Sequence, residues 1–564
     1  MAKKGASKDL ISAIRFYVDK IVSDATIGGM KALLLDPVTA KIVSMVYSQT
    51  QILEKEVYLI EILGKKHEPM LHLKAAVFIQ PSEDNYDLIA KELLEPKFKE
   101  YHLFFSNIAP PDMIARLARL DEHELIMQVQ EYYGDFLSVN EDLFHLGIEN
   151  SLSLSSSVRT LEAGKIFEKN VNGLLSVLLA LKKIPGQIRH QGSSELARRV
   201  ANEILGNIEK GEPFDFSRQE DTMLLILDRR DDPITPLLTQ WTYQAMVHEL
   251  LGLNYNRVIL KGAPHVSKDF EEIVLSCTQD EFFSKNRYTN FGDLAVAVQH
   301  LLSEYQKASK KNENITSIED MQNFLERFPD FRAKSINVSK HVAVLGELSR
   351  LTDVCQLLDI SELEQEISCS SDRSNHKQEL LTRLRNPKVN AADKVRLAIL
   401  YLIKYESYND INEIKETLNQ VNVPNNKINL LDSVLQYCGE AKRAGGLFSQ
   451  GGLMAKLTKT FTSVGGAQNV YTQHQPVLFH ILLSILNGKL KDSAFPPLVT
   501  SVGAPANRQP KEVIVFIVGG ATFEEAFRVA EFNAANPGMR VLLGGSTIQN
   551  STSFLKEISS NFSR

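Results

Sequence analysis

The stretch that most constrains the fold is residues 221–251, DTMLLILDRRDDPITPLLTQWTYQAMVHELL. Met223 to Leu227 is an uninterrupted apolar run with the length of a buried strand. It stops at a charged corner, Asp228-Arg229-Arg230-Asp231-Asp232. Pro233 follows, and Thr235-Pro236 reads as a helix start, with threonine as N-cap and proline in the first turn. From Leu237 through Met246 to Leu251 the segment reads as a helix rich in apolar positions, and it contains the only tryptophan, Trp241. A strand running into a helix across a sharp corner belongs to a sheet with helices on its faces.

The same alternation fills the first 135 or so residues. Lys31–Leu35, Val57–Leu63, Ala75–Ile79 and Tyr101–Phe105 read as strands. Asp36-Pro37 offers an N-cap and a first-turn proline for a helix through Val43 and Val46, and Asn85–Leu94 has helical periodicity. The order implies a mostly parallel sheet. Ser151–Ser157 reads as a polar surface loop, and Phe167–Leu205 as helical. Residues 250–470 are largely helical, with segments at Glu281–Ser309, Met321–Phe328, Val342–Cys369, Gln378–Leu384, Lys394–Tyr405 and Ile411–Leu418. Phe448–Gly466, rich in glycine and small polar residues, reads as a mobile loop. The chain then returns to α/β: Val513–Val518 is a strand, Phe523–Phe532 a helix and Val541–Leu543 a strand. So short an end cannot build its own core. It is expected to join the sheet that holds 223–227, leaving the helical region as an insertion.

Composition narrows the function. The 564 residues suffice for roughly three or four domains. A net charge of −6, with neither half strongly basic, gives no support for nucleic-acid binding. Four scattered cysteines with no CxxC pair fit a reducing compartment and offer no zinc site. The first residues read as an amphipathic helix from Leu10 to Val22, and the apolar stretch Gly173–Leu181 is about half the ~20 residues of a membrane span. No transmembrane segment is expected.

An apolar strand ending in Asp228 and Asp231 could serve a nucleotide- or metal-dependent enzyme, which also needs a phosphate cradle of the form GxxxxGK[ST]; the chain has none. Gly519-Gly520 and Gly544-Gly545 follow strands without completing GxGxxG, so tight turns explain them equally well. His248-Glu249 lacks the second histidine of HExxH, no serine sits in GxSxG, and His474 reads as structural. Neither a catalytic residue, a metal nor a cofactor is expected.

The segment DRRDDPITPLLTQWTYQAMVHELL resembles the signature of the SM (Sec/Munc) family of SNARE-binding proteins. Phe324–Phe331 followed by Ser339–Val342 resembles that family's mid-chain helical hairpin, Val513–Thr522 its closing strand, and Gly544–Asn550 its terminal loop. Val470–Pro476, Gly346–Arg350 and Gln240–Gln244 resemble most its endosomal and trans-Golgi branch, which serves vacuolar protein sorting. The resemblance implies an arch of three domains. These are an α/β domain at 1–134, a discontinuous α/β domain at 135–249 and 473–564, and a mainly helical domain at 250–472 with a hairpin near 321–345. It implies a cytosolic factor, peripheral to Golgi, trans-Golgi and endosomal membranes. Such a factor holds a syntaxin-like Qa-SNARE, templates SNARE-complex assembly with a vesicle R-SNARE, and works beside tethering factors or Rab effectors.

Site residues follow by likeness. A groove for the SNARE N-terminal peptide maps to Asp112–Tyr133, with Leu117, Leu120, Ile126 and Val129 as an apolar pocket and Glu131 as anchor for a basic group. The same three- and four-residue spacing also fits core packing. Asp36 and Lys41 fall where the family carries charged residues in its central cleft, although Asp36 is equally placed to cap a helix. Pro329 falls at the hairpin bend, where proline removes a backbone donor.

Overall fold

The structure is a computed structural model that describes residues 9–66, 68–156, 160–264, 266–312, 318–443, 470–498 and 509–562. The chain divides into two compact units, one made of residues 1–229, 481–521 and 528–548, the other of 230–480, 522–527 and 549–564.

The first unit holds two sheets. The first comprises β1 (Lys31–Leu35), β2 (Val57–Ile62), β3 (Lys74–Ile79), β4 (Tyr101–Phe105) and β5 (Ile126–Glu131), all parallel, in the order β2-β1-β3-β4-β5. The central strands β1 and β4 are buried at every residue, which is why they read as unbroken apolar runs. Helices Leu10–Val22, Pro37–Val46, Glu83–Leu94 and Pro111–Leu120 accompany the strands. The second sheet runs in the order Leu137–Ser138, Leu143–His145, Arg540–Gly545, Glu512–Val518, Gln219–Asp228, Pro185–His190. Only its first pair is antiparallel. Val513 pairs with both Met223 and Val541, so the end of the chain does join the strand of the signature segment.

Two expectations fail here. Pro185–His190 is a strand within the span read as helical: its polar residues Gln187, Arg189 and His190 are buried, and Arg189 is satisfied by the distant Asp492 and the Phe495 carbonyl. Ser151–Ser155 is a 3-10 turn with Ser151, Leu152 and Ser153 buried, not a surface loop. Leu152 closes on the Gly519 turn, where an added Cβ would come within 2.9 Å of its methyl carbon.

In the second unit the described residues are mostly helical, with one antiparallel hairpin, Arg257–Ile259 with Glu272–Val274. The signature helix begins at Tyr243 and ends at Leu250, six residues after the expected start. Thr235-Pro236 instead opens a 3-10 turn, Thr235–Leu237, and the chain is extended at Leu238 before it helicalises. Phe291–Asn312 and Ile318–Val354 are long helices that pack on each other. The second is continuous through Pro329, so the chain does not bend there; residues 313–317, between the two helices in sequence, lie outside the described residues. The helix expected over Val342–Cys369 is broken at Gln356, whose φ is 55°, into Ile318–Val354 and Leu357–Cys369. Phe448–Gly466 lies outside the described residues.

Candidate functional site

The candidate peptide groove is built from the last helix and edge strand of the first sheet. Pro111–Leu120 starts with a first-turn proline and ends at Asp121, whose two carboxylate oxygens each accept a backbone N–H at 2.8 Å, from Leu125 and Ile126. That clamp sets the tight return into β5. Arg116 holds the helix to its neighbour through a bidentate pair with Glu83 and lies 4.2 Å above the Tyr86 ring.

The sequence-derived residues separate by depth. Leu117 is 2% exposed and belongs to the core beneath the helix, with Met113, Ile89, Leu93 and Phe105. Leu120 and Ile126 pack partly buried against the same core. These three therefore form the foundation of the segment instead of a solvent-facing pocket. Val129 stands apart at 40% exposure, and Met127, which the sequence reading omitted, is exposed at 60%. Alternation along β5 places Met127, Val129 and Glu131 on one face. The signal for Met127 was available, since it shares the parity of Val129.

Glu131 ends this strip with both oxygens engaged. One accepts the Ala109 N–H at 2.7 Å, and the other accepts the Tyr133 hydroxyl at 3.0 Å. Burial and the neighbouring carboxylate together hold the Tyr133 phenol well above its ordinary range, so it remains a donor. The face thus offers an apolar strip that closes on a fixed negative charge.

Asp36 is buried and committed to the fold. It caps Pro37–Val46 by accepting the N–H groups of Val38 and Thr39 at 2.8 and 2.7 Å. Its other oxygen accepts from Gln80 N–H at 2.6 Å and the Asn85 amide at 2.7 Å. Capping, and not a charged cleft face, is the role these contacts give it. Lys41 lies half-buried one turn further along the helix.

The strand-end acids are likewise spoken for. Asp228 accepts the Ser194 hydroxyl at 2.6 Å. Asp232 accepts the Thr235 N–H and hydroxyl at 3.1 and 2.7 Å, and the Val477 N–H at 3.1 Å. Arg229, 1% exposed, donates to the Gly520 carbonyl at 3.0 Å. Gly519 and Gly520 have φ of 94° and 104°, and a Cβ on Gly544 would sit 2.0 Å from the Phe144 ring. Packing explains these glycines. Among the described residues no group of three His, Cys, Asp or Glu side chains could hold a metal. The reading that makes Asp228 and Asp231 an enzyme's acids has no support.

Elsewhere in the second unit, His474 is buried, with its N–H on Gln365 at 2.7 Å and its Nε2 3.2 Å from the Thr235 hydroxyl. Trp241 donates from Nε1 to Ser361 at 2.8 Å. The helix Ile318–Val354 is tied down at Lys340 and His341, both on Asp280, and His341 Nδ1 lies 2.8 Å from the Tyr243 hydroxyl. No helix among the described residues is long and apolar enough to cross a membrane.

Residues 31–557 match the Sec1 family. The chain is 42% identical over 560 residues to vacuolar protein sorting-associated protein 45 of Dictyostelium discoideum, spanning 99% of this chain and 97% of that one. It is 42% identical over 556 residues to the Homo sapiens protein of the same name, at 98% and 96% coverage. Among solved structures it is similar to the SM protein Vps45 in complex with the Qa SNARE Tlg2 (1–310), with a TM-score of 0.89, 39% identity and 98% of each chain covered. The chain therefore belongs to the Sec1 family, the SM proteins whose signature its residues 228–251 carry.

Proposed function

We propose that this chain binds a syntaxin-like Qa-SNARE and templates SNARE-complex assembly in endosomal, trans-Golgi and vacuolar transport. The observation that carries the reading is whole-chain similarity to an SM protein solved with a Qa SNARE. It acts by binding and orienting helices, with no covalent step, from the cytosolic side of Golgi, trans-Golgi and endosomal membranes. A vesicle R-SNARE, the assembled SNARE complex and tethering factors or Rab effectors are its further partners. Three functional domains, at 1–134, at 135–249 with 473–564, and at 250–472, divide the work.

The N-terminal peptide of the Qa-SNARE docks on the exposed strip of β5. Its apolar residue covers Met127 and Val129 over the floor of Leu117, Leu120 and Ile126, and its basic group meets Glu131. Exposed apolar side chains beside a fixed carboxylate support this placement. The long helix Ile318–Val354, with Pro329 inside it, presents the template for a second SNARE helix, in the manner of helix-on-helix recognition. Lys41 faces the bound SNARE. Pull-down by a panel of Qa-SNARE N-terminal peptides tests the docking. Capture lost in Val129→Asp with an unchanged melting temperature supports it, and unchanged capture removes the site.

A further inference from the structure

The second unit contains a cavity of about 590 Å³ that the SNARE reading leaves unused, a volume typical of sites for small organic ligands. Three helices contribute its walls: Ala391–Lys404 packs on Leu430–Cys438, which packs in turn on Ser551–Phe562. Leu351, Val395, Leu430 and Leu555 supply the apolar lining.

The charged groups of the lining divide into engaged and free. Arg396, 4% exposed, is neutralised by Glu364 at 2.5 Å and by Asp393 at 2.7 Å. The other oxygen of Asp393 accepts the Asn390 amide at 2.6 Å. Glu249 accepts the N–H of Ser551 at 3.0 Å, together with the Ser551 hydroxyl. Burial raises its carboxyl above the usual range and so favours the neutral form. Both acids of the lining are therefore committed. Lys427, half-buried, and Lys556, exposed, line the same cavity, and among the described residues neither ammonium has a hydrogen-bond or ion-pair partner. The charge left over is positive. Asn426 adds a side-chain amide that is likewise without a partner among the described residues.

We propose that this cavity binds an organic carboxylate carried on an apolar stem. An ionised carboxylate only accepts, and its two oxygens suit two ammonium donors. Lysine stems are flexible enough to bring their charges together on one ligand. The stem lies along Leu430 and Leu555, which neighbour the two lysines on the lining. The carboxylate is either that of a free acid or the C-terminus of a peptide. The inference does not depend on the SNARE reading.

Calorimetric titration of the full chain tests it, with hexanoate as the free acid, N-acetyl-leucine as the peptide-borne form and hexanamide as a neutral mimic. One of the two carboxylates is expected to bind at a single site, about tenfold tighter than hexanamide. Whichever of the two binds more tightly identifies the source. Replacing Lys427 and Lys556 together by glutamine should weaken that carboxylate about tenfold. Lys65→Gln with Lys66→Gln, the same charge change on exposed residues of the first unit, should leave it unchanged. Ala392→Trp, at an exposed lining position, fills space without removing a charge and should also weaken binding. Carboxylate binding no tighter than hexanamide overturns the proposal. So does unchanged affinity in the Lys427 and Lys556 variant, or equal weakening in the Lys65 and Lys66 control, which would reduce the effect to net charge. Unchanged affinity in Ala392→Trp overturns it independently, even if the lysine variant fails to fold. Inorganic phosphate binding as tightly as the carboxylate overturns it too, leaving an adventitious ion only.

Discussion

Replacing Met127 and Val129 together by serine separates docking from stability. The two side chains are 60% and 40% exposed, so much of each is already out of the core. Full burial of such a side chain contributes about 2 kcal/mol. The fractions still in water leave about 1.2 kcal/mol for Met127 and about 0.8 kcal/mol for Val129 to gain under a bound peptide, about 2 kcal/mol together. At about 1.4 kcal/mol per tenfold, the double variant should weaken a Qa-SNARE N-peptide roughly 30-fold. Fluorescence anisotropy of a labelled peptide reads this directly. Thermal unfolding of the same protein should change little, because exposed positions carry small stability effects. Leu117→Ala is the contrasting perturbation: it hollows a buried site and should cost about 2–5 kcal/mol of folding stability. A peptide affinity unchanged within twofold in the double variant would refute the docking argument. Equal loss of stability in the two proteins would refute the separation of exposed strip from buried floor.

Other perturbations probe the remaining joints. Asp280→Ala should cost about 3–5 kcal/mol in urea denaturation, because Lys340 and His341 lose their shared buried acceptor. Its partner charges lower the Asp280 carboxyl to about 2 despite burial, and burial lowers His341. Both groups therefore stabilise the fold above their unfolded values; stability should fall on acidification, first as His341 protonates below about 6.5 and then as Asp280 protonates between about 4 and 2. A urea midpoint flat over that range would contradict the sign. Asp228→Ala should cost about 1–3 kcal/mol by orphaning the Ser194 hydroxyl, and calorimetry with magnesium and ATP should give no heat of binding to either protein. Pro329→Ala restores a backbone donor inside a continuous helix, so far-ultraviolet circular dichroism should report equal or greater helicity.

The central strands of the first sheet were legible because burial on both faces leaves a nearly unbroken apolar run, as in Lys31–Leu35 and Tyr101–Phe105. Pro185–His190 was not, since its buried Arg189 is satisfied by Asp492 and the Phe495 carbonyl some 300 residues away. Local spacing carries no trace of such a partner. The same limit blurred the groove. Leu117 and Val129 both fit an apolar face, and only the packing of Pro111–Leu120 on Glu83–Leu94 and the sheet decides which of them sees water. Asp36 shows the reverse: its Asp-Pro pair announced the cap, and the family likeness suggested a cleft that its carboxylate's hydrogen bonds do not serve. The helix at 243 began late because Asp232 draws Thr235 into a turn of its own.

The central claim is that this chain accelerates SNARE pairing by binding alone. The rate of four-helix SNARE-complex formation, followed by fluorescence transfer between a labelled Qa-SNARE and R-SNARE, tests it most directly. The account predicts acceleration that saturates at one chain per Qa-SNARE and is indifferent to nucleotide and magnesium. A rate unchanged by the chain, or one that rises only with nucleotide, would contradict it.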